Sequence, residues 1–577
     1  LLFVLPLTVL SGYLQYTHVM RVDAFGNWNV GQSTYGDLPM HLSFITGLVG
    51  KRFPADYPFY PGHQLSYPFL ADSLSSTFYL MGCSIQMSII LPGTLMMFLC
   101  YLGVMVLGRE MTAGKKTALL AATLFFLNGG LGFLYDFDQA AGWEANGEWT
   151  VVARVRHILE GYYKTPTNQP EPNNLRFSNM ICDMMVPQRT LLGGWCMVIP
   201  CFYLLETCFR PERLRRERGM EVYGLYRTPE RADGNGRGVL LLGVWAGALP
   251  LIHTHSFLAL GLCSAGYLFY DLIHGDREGN RSRWNILGRY VAYGCLAALL
   301  ALPQLFGFTF SQTFQGEGSN DFIIFQFNWV NNPGGRGMRD FYLWFYIKNL
   351  GLPFLALLCA AFEKDPKQRR IFAGVLPMVL AAELIRFQPN EYDNIKILDL
   401  AWMLSCMIVA DEAALLWKRM GGLRCRYFLA AMAGIAVYLS AGLTIWRECV
   451  SDYRAFSAQA VEAGVFARDE TESGAVYMTG TQHLNPPLSI GGKTVVCGPD
   501  LWLYWHGFNT AERQTDIRLF YEDPEANAWV LAEYDVDYIY VSSYERASYD
   551  VDMDALRGIY PVVFENSEAV IFQVPEG

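Results

Sequence analysis

The segment at 33–44, STYGDLPMHLSF, places an aspartate, Asp37, four residues before a histidine, His41. In a helix, residues four apart lie on the same face, one turn from each other. A carboxylate and an imidazole in this arrangement can serve as a general base, or can bind a divalent cation such as Mg²⁺ or Mn²⁺. Asp37 also stands where a helix N-cap is expected, with Pro39 in the first turn. A capping role for Asp37 is therefore the alternative.

The sequence around this pair has the composition of a membrane protein. Of its 577 residues, 52% are hydrophobic and 17% are charged, whereas soluble domains average about 25% charged residues. The net charge of −10 gives no indication of nucleic-acid binding, and the 13 cysteines show no zinc-site spacing. Because the chain opens with LLFVLPLTVL and has no initial methionine, we expect it to begin inside a hydrophobic segment that is already under way.

Apolar stretches long enough to cross a bilayer recur throughout residues 1–449. They predict an α-helical polytopic membrane protein with about 10–11 transmembrane helices, each of about 17–25 residues. The first is a truncated segment at 1–12, and the others lie at 86–107, 117–136, 188–208, 238–252, 255–273, 287–306, 341–361, 371–386, 396–415 and 427–447.

The loops between these segments differ in charge. Arginine and lysine concentrate in every second loop, at 210–219, 274–283, 363–370 and 418–426, and Lys115 and Lys116 fall on the same side. The positive-inside rule predicts that these loops are cytoplasmic. The first loop, at about 13–85, and everything beyond residue 450 then lie on the extracytoplasmic side.

Residues 450–577 differ in character from the membrane part. Short β-branched and aromatic runs alternate there with helical segments, and the runs lie at 475–479, 493–497, 537–542 and 569–574. This alternation predicts a separate extracytoplasmic α/β domain at 450–577, which follows a multi-spanning domain at 1–449.

Two histidines lie at the predicted extracytoplasmic tip of a helical hairpin. His253 and His255 flank Thr254 in the sequence PLIHTHS. In a helix their side chains would point apart, so at most one of them needs to face a common cavity. We expect one imidazole to bind a phosphate or to help Asp37 hold a metal ion. A structural role at a helix end is the alternative.

A second polar group lies in RFQPNEYDNIKILDL at 386–400. Arg386 and Lys396 stand at the outer ends of two predicted helices, where a pair of cations suits a phosphate leaving group. Glu391 and Asp393 lie between them and are candidate substrate-binding residues. An ordinary polar turn, capped by Asn390 and Asp393, is the alternative.

The motif YGDLPMHL, followed by FP…YPFYPG…LSYPF and a later HTHS, resembles the GT-C superfamily of polytopic membrane glycosyltransferases. That superfamily includes protein mannosyltransferases and oligosaccharyltransferases, and the likeness is to its bacterial and archaeal members. The resemblance implies many spanning helices, a soluble outer domain, and an acidic residue in the first outer loop, which Asp37 matches. It also implies a membrane hexosyltransferase that uses a lipid-phosphate sugar donor.

The sequence departs from two of the family's patterns. It lacks the adjacent acidic pair of protein mannosyltransferases and the Trp-Trp-Asp signature of oligosaccharyltransferases. A protein acceptor is therefore not indicated, although glycan, lipid and protein acceptors all stay open. In the first loop, Tyr67 and His63 are candidate substrate-binding residues, because aromatic side chains there suit stacking on a sugar.

Other functions are compatible with many spans and buried charges. A lipid or glycan transporter, or flippase, would concentrate polar residues near the midplane on broken helices. A non-catalytic scaffold of the cell envelope would use the outer domain for binding. Here the polar residues fall at the outer ends of the predicted helices. We therefore expect sugar transfer at the outer face from a polyprenyl-phosphate donor, since nucleotide sugars are cytoplasmic.

Overall fold

The computed structural model describes residues 2–49, 51, 53–136, 151–161, 165–209, 236–274, 283–310, 322–362 and 365–575. Helices dominate up to Val450. In chain order they are α1 (Val4–His18), α2 (Leu38–Gly47), α3 (Leu70–Leu80), α4 (Ile85–Met111), α5 (Lys115–Leu127), α6 (Phe133–Asp136), α7 (Val151–Glu160), α8 (Pro170–Asn173), α9 (Arg189–Phe209), α10 (Gly236–Gly247), α11 (Thr254–His274), α12 (Arg283–Gln304), α13 (Tyr342–Leu350), α14 (Leu352–Ala360), α15 (Pro366–Leu384), α16 (Glu391–Arg419) and α17 (Arg426–Val450).

Several of these helices are long and apolar enough to cross a membrane. In the described part of the chain six meet this test, namely α4, α9, α11, α12, α16 and α17, and the number rises to seven if α13 and α14 form one bent span. The protein is therefore an integral, multi-pass membrane protein, as the composition predicts.

The expected number of about 10–11 crossings exceeds the six or seven that meet the test in the described residues. Every predicted segment does contain helix, but several of these helices are short. α5 has 13 residues and α10 has 12, whereas a straight span needs about 20. The segment at 341–361 is not one straight helix, because α13 and α14 meet at an angle of 117°. The bend lies at Gly351, whose φ of +69° favours glycine.

α16 is the central helix of the membrane part. It packs against α5, α11, α14 and α15, and nearly all side chains from Asn394 to Ala410 are buried. A helix that is apolar on all faces is expected in such a central position. The buried polar side chains between Asn394 and Ala410 are therefore held within the bundle.

The part of the chain from residue 450 onward, called the tail below, forms the predicted α/β unit. One five-stranded sheet has the order β11-β12-β10-β8-β9, in which β8 pairs in parallel with β9 and β10 while β12 is antiparallel to β10 and β11. Its strands are β8 (Val476–Met478), β9 (Thr494–Val495), β10 (Tyr538–Val541), β11 (Val562–Glu565) and β12 (Val570–Gln573). The helices around it are α18 (Ala458–Glu470), α19 (Pro486–Ser489), α20 (Asp500–Trp505), α21 (Ala511–Glu522), α22 (Trp529–Glu533), α23 (Ser543–Ser548) and α24 (Met553–Ile559). All four predicted strand segments contain strands, whereas the strand β11 was not predicted.

In the described part of the chain, seven further short strands lie outside this sheet, and one pair of them links the first loop to the tail. The seven strands are β1 (Arg21–Val22), β2 (Trp28–Val30), β3 (Asp56–Tyr57), β4 (Tyr60–Gln64), β5 (Ile324–Phe325), β6 (Ile385–Arg386) and β7 (Tyr453–Phe456). β7 of the tail pairs with β2 of the first loop, and β3 and β4 form a hairpin. The rings of Phe44, Tyr57 and Phe59 lie in the same hydrophobic core as the tail sheet. The domain boundary at 449/450 stays a prediction. The first loop packs against the membrane helices and against the tail.

Candidate active site

Asp37 immediately precedes α2, all of whose residues are buried. The backbone carbonyl of Asp37 accepts from the amides of Met40 and His41, so the predicted N-cap position is correct. The side chain of Asp37, however, makes no capping hydrogen bond to the first turn. The capping alternative is therefore wrong for the carboxylate, which lies half-buried at the start of a buried helix.

His41, one turn later, is held by an aspartate that the sequence analysis did not single out. Nδ1 of His41 lies 2.8 Å from Oδ2 of Asp72 on α3. The other carboxylate oxygen of Asp72 accepts from Nε of Arg189, the first residue of α9, also at 2.8 Å. The side chains of His41, Asp72 and Arg189 are 2%, 0% and 4% exposed. This buried cluster ties together α2, α3 and α9.

The charge on Asp72 follows from its neighbours. Burial alone would raise the pKa of Asp72, but the charges and hydrogen bonds of His41 and Arg189 outweigh burial and hold the pKa below its ordinary value. A buried carboxylate is stable only when paired in this way. Arg189 donates to Ser75 Oγ as well, at 2.5 Å, which fixes the guanidinium against α3.

Aromatic rings pack beside His41. The ring of Tyr67 lies 6.1 Å from that of His41 and 4.9 Å from that of His506 in the tail. The structure therefore brings the predicted Tyr67 to the cluster. His63 is the other first-loop candidate. Its ring lies against the rings of Tyr60 and Phe508 rather than against that of His41.

The tail also contacts α2 directly. The hydroxyl of Ser489 donates to the carbonyl of Pro39 at 3.0 Å, and the hydroxyl of Thr46 donates to the carbonyl of Ser489 at 3.2 Å. These bonds hold both ends of α2 against α19. The position of Asp37 and His41 is thus set by the tail as well as by the membrane helices.

The segment His253-Thr254-His255, called the HTH tip below, lies against α3 and α9. These are the helices that carry Asp72 and Arg189. The amide of Leu70, at the start of α3, donates to the carbonyl of Leu251. Gly194 on α9 faces His253, so closely that a Cβ at position 194 would lie 2.3 Å from the Cβ of His253. Gly194 follows Arg189 by five residues, about 7.5 Å along the helix axis, so His253 packs on the same helix that contributes Arg189 to the cluster.

The two histidines of the tip approach each other, contrary to the expectation that they point apart. Their ring centroids are 5.4 Å apart. His253 lies just before α11 rather than within it, so helical side-chain directions do not apply to it. Nδ1 of His253 pairs with Ser256 Oγ at 2.8 Å, whereas Nε2 is buried and has no hydrogen-bond partner among the described residues.

Lys396 lies within electrostatic range of His253. Burial, and then the charges of His255 and Lys396, lower the pKa of His253 well below its ordinary value. His253 is therefore neutral near pH 7, and an ammonium group lies nearby. The structure thus places His253 against His255, and the charge of Lys396 acts on His253.

The turn between β6 and α16, the helix that carries Lys396, is shaped by one asparagine. Arg386 lies in β6, which pairs with β5, and α16 begins five residues later. The side chain of Asn394 accepts from the amide of Phe387 and donates to the carbonyl of Ile385, which pins this turn. The side chains of Glu391 and Asp393 lie outside the described residues, and those two predictions have no structural outcome.

One further acidic residue lies deeper on α16. Asp399 is fully buried, and neither of its carboxylate oxygens has a hydrogen-bond partner among the described residues. It follows Lys396 by three residues, so the two side chains lie on the same helix face. The signal for it in the sequence is an acidic residue inside an apolar run, which marks a functional candidate in a membrane span.

A divalent cation finds few protein ligands here. No group of three His, Cys, Asp or Glu side chains that could hold a metal occurs among the described residues. Asp37 and His41 alone would supply two ligands, and Nδ1 of His41 is occupied by Asp72. Mg²⁺ can bind through one or two carboxylates with water and a substrate phosphate. Only this form of the metal hypothesis, with Asp37 as the protein ligand, fits the described residues.

Comparisons with known proteins bear on the fold. No protein-family model matches the sequence, and no curated protein matches it either. The apo crystal structure of the Archaeoglobus fulgidus oligosaccharyltransferase aligns with a TM-score of 0.55 at 12% identity, covering 97% of this chain and 73% of that one. The same organism's AglB, in complex with an inhibitory peptide and a dolichol-phosphate, aligns with a TM-score of 0.54 at 12% identity, covering 97% and 72%.

A third structure is less similar. ArnT from Cupriavidus metallidurans, bound to undecaprenyl phosphate, aligns with a TM-score of 0.49 at 11% identity over 99% of this chain and 97% of that one. The fold assignment therefore rests on the two archaeal structures. Their alignment over nearly the whole chain confirms the resemblance at the level of fold. The chain therefore shares the fold of these archaeal oligosaccharyltransferase structures.

Proposed function

We propose that the protein is a membrane glycosyltransferase that moves a sugar, in the form of a hexosyl group, from a polyprenyl-phosphate-type donor to an acceptor at the extracytoplasmic face. One observation carries the proposal. Polar groups from separate parts of the sequence adjoin one another through α2, α3 and α9, from the His41–Asp72–Arg189 cluster to His253 and Lys396. Buried polar groups with perturbed pKa values in one place are typical of an active site.

The two ends of this arrangement suit the two halves of a transfer reaction. At one end, Asp37 and His41 are the candidate proton acceptors for a hydroxyl group of the acceptor. At the other end, Lys396, with Arg386 and the two histidines of the HTH tip, would bind the donor phosphate. The acceptor oxygen attacks C1 of the sugar from the face opposite the phosphate. The C1–O bond to the phosphate breaks, and the configuration at C1 inverts.

Charges on α16 support the proposed side of the membrane. Lys396 and Lys418 are 22 residues apart on this one helix, which corresponds to about 33 Å, close to the thickness of the hydrocarbon core. Lys418 belongs to the loops that the positive-inside rule assigns to the cytoplasm. The end with Lys396 would then face outward, where the available sugar donors are lipid-linked. The acceptor would be a glycan, a lipid or a protein of the cell envelope.

A second function is favoured by one residue. The buried, unpaired carboxyl group of Asp399 within a membrane span is also typical of transporters and flippases, which carry ionisable residues near the membrane midplane. A transporter would move the lipid-linked sugar across the bilayer without breaking the bond between the sugar and the phosphate.

The two functions are separated by one reconstitution. The purified protein is inserted into lipid vesicles with polyprenyl-phosphate sugars carrying a radiolabelled sugar, and a cell-envelope extract is added as acceptor. We expect label to move from the organic-soluble lipid fraction into the acceptor fraction, with release of the polyprenyl phosphate. Movement of intact labelled lipid between leaflets, with no label in any acceptor, would instead support the transporter. Empty vesicles are the control.

A further inference from the structure

The cluster beneath α2 is asymmetric about the imidazole ring of His41. Nδ1 is hydrogen-bonded to Asp72 at 2.8 Å. Nε2, on the opposite side of the ring, has no hydrogen-bond partner among the described residues. The protein does not enclose this atom completely. One ring nitrogen is thus fixed by the protein, and the other keeps a small contact with solvent.

The protonation of the ring follows from Asp72. Arg189 donates to Oδ1 of Asp72 and can only donate, since a guanidinium group has no acceptor atom. With the pKa of Asp72 held below its ordinary value, the carboxylate carries no proton and can only accept. Nδ1 of His41 must therefore donate. In a neutral imidazole this leaves the lone pair on Nε2.

We propose that Asp72 is a positioning residue of the sugar-transfer site, which fixes His41 in the Nδ1–H tautomer so that Nε2 accepts the proton of the acceptor hydroxyl. This proposal rests on the function proposed above and names the group that takes the proton. Asp37, one turn earlier on α2, then keeps its negative charge during the reaction. That charge stabilises the positive charge that develops on the sugar.

The bonds and charges of the step balance. The O–H bond of the acceptor breaks and its proton goes to Nε2 of His41. The acceptor oxygen forms a bond to C1 of the sugar, and the C1–O bond to the phosphate breaks with both electrons staying on the phosphate. The imidazolium formed at His41 lies against the Asp72 carboxylate, which stabilises it. An aspartate that orients and stabilises a catalytic histidine in this way acts without exchanging a proton itself.

A purely structural role for the cluster must be distinguished from this one. His41, Asp72 and Arg189 come from three helices, and a buried ion pair that joins helices can serve packing alone. Both roles predict that disruption of Asp72 affects folding. They differ in what they require of the proton on His41, because packing needs only a hydrogen bond, of either polarity, between the two residues.

Asp72→Asn separates the two roles. The carboxamide has the shape of the carboxylate, but only its oxygen can accept from Arg189. Its NH₂ group must then face His41 and donate to Nδ1. The ring proton moves to Nε2, and a hydrogen bond of the same length is kept with the opposite polarity. Packing survives this change, whereas the proton acceptor is lost.

The experiment combines solid-state ¹⁵N NMR of histidine-labelled protein in lipid with the transfer assay. The chain has nine histidines, and the His41 signals are identified by their absence in His41→Gln. In the unmodified protein we expect protonated Nδ1 and unprotonated Nε2 at His41. In Asp72→Asn we expect the reverse, with transfer reduced by about 10²–10⁴-fold. His18, whose Nε2 lies 2.7 Å from Glu448 in a separate buried pair, should show unchanged signals.

Two variants control for general damage to the cluster. Ser75→Ala removes one bond to Arg189 but leaves both bonds to Asp72, so the tautomer should stay and transfer should remain close to normal. Asp72→Glu keeps a carboxylate and should retain the Nδ1–H tautomer, with transfer at least tenfold above that of Asp72→Asn. If Asp72→Asn does not insert into the membrane, the spectrum of the unmodified protein and the activity of Asp72→Glu still decide between the positioning role and the packing role of Asp72.

Three results would overturn the proposal. The first is a protonated Nε2 at His41 in the unmodified protein, and the second is normal transfer by a correctly inserted Asp72→Asn variant. Either one removes the role of Asp72 while leaving sugar transfer itself in place. The third is an unmodified protein that transfers no sugar, which removes the proposed function and the catalytic role of His41 together.

Discussion

His41 and Asp72 are 31 residues apart in the sequence, and their side chains meet at 2.8 Å beneath the start of α2. This contact joins α2, the helix that directly follows Asp37, to α3, the helix whose first residue contacts the segment before the HTH tip. Through Arg189 it reaches α9, which begins at that residue. The site is therefore built from the ends of several helices, where the membrane part meets the tail.

The close approach of Gly194 to His253 makes a testable prediction. In Gly194→Ala the new methyl group would lie 2.3 Å from the Cβ of His253, so the HTH tip must move. We expect a loss of about 1–3 kcal/mol in the free energy of unfolding and a raised KM for the lipid-linked donor. Gly261→Ala on α11 is the matched control, because a Cβ there meets no atom within 4 Å. Equal thermal stability and KM in the two variants would contradict the packing described for the tip.

Asp183 predicts a pH dependence of stability. It lies in the π-helical segment Met180–Met185 before α9, where burial and then the charge of Glu448 raise its pKa to about 7. Because the folded state holds this proton more tightly than the unfolded state does, the free energy of unfolding should fall as pH rises from about 4 to about 7. Above pH 7 the full cost of the buried charge is present.

Asp183→Asn should remove this dependence. The side-chain oxygen of asparagine can still accept from Thr167 Oγ1 and from the amide of Asn179, as Asp183 does now. We expect the variant to unfold at a higher temperature than the unmodified protein at pH 8, and at nearly the same temperature at pH 5. Thermal unfolding in detergent at the two pH values measures the difference. A variant that is less stable at pH 8 would show that the charge of Asp183 is stabilised in a way not described above.

The shared core predicts that the tail depends on the first loop. Phe59 is fully buried against Trp502, with the two ring centroids 5.8 Å apart, and its carbonyl accepts from the amide of Gly498. Phe59→Ala should lower the free energy of unfolding by about 3–5 kcal/mol and speed proteolysis of the tail. Phe53→Ala, at a side chain that is 66% exposed, is the control and should change proteolysis little. If neither variant alters digestion of residues 450–577, the tail folds independently of the first loop.

Several parts of this architecture could be predicted from the sequence because they depend on local pattern. Every predicted apolar segment contains helix, and β-branched runs located four strands of the tail. The N-cap position of Asp37 follows from Asp37 and Pro39 together. The bend at Gly351 also has a local signal, the sequence Gly-Leu-Pro at 351–353, although the apolar run around it suggested one straight span.

The centre of the site has no such local signal. Asp72 and Arg189 are 117 residues apart, and nothing in either segment indicates its partner. The approach of His253 to His255 was not predicted, because a helical geometry was assumed for both residues. Contacts between distant segments depend on how the helices pack, which periodicity alone does not specify.

Lys396 gives a prediction specific to the donor. Lys396→Met keeps the length and apolar stem of the side chain but removes its charge. We expect weaker binding of polyprenyl phosphate, seen as a raised KM for the donor and a loss of inhibition by free polyprenyl phosphate, with little effect on the KM for the acceptor. Lys418→Met, at the other end of the same helix, is the matched control. An equal effect of the two substitutions on donor KM would show that Lys396 does not contact the phosphate.

The most direct test of sugar transfer at this site is the activity of Asp37→Asn in lipid vesicles. Asparagine has the shape of aspartate and keeps an oxygen that accepts hydrogen bonds, and the Asp37 side chain makes no capping bond to α2, so the variant should insert. The assay follows a labelled sugar from polyprenyl phosphate into an envelope acceptor, with the unmodified protein measured in parallel. We predict that the unmodified protein transfers label and that Asp37→Asn transfers at least about 100-fold less. Normal transfer by a stably inserted Asp37→Asn variant would contradict the assignment of the active site to the start of α2.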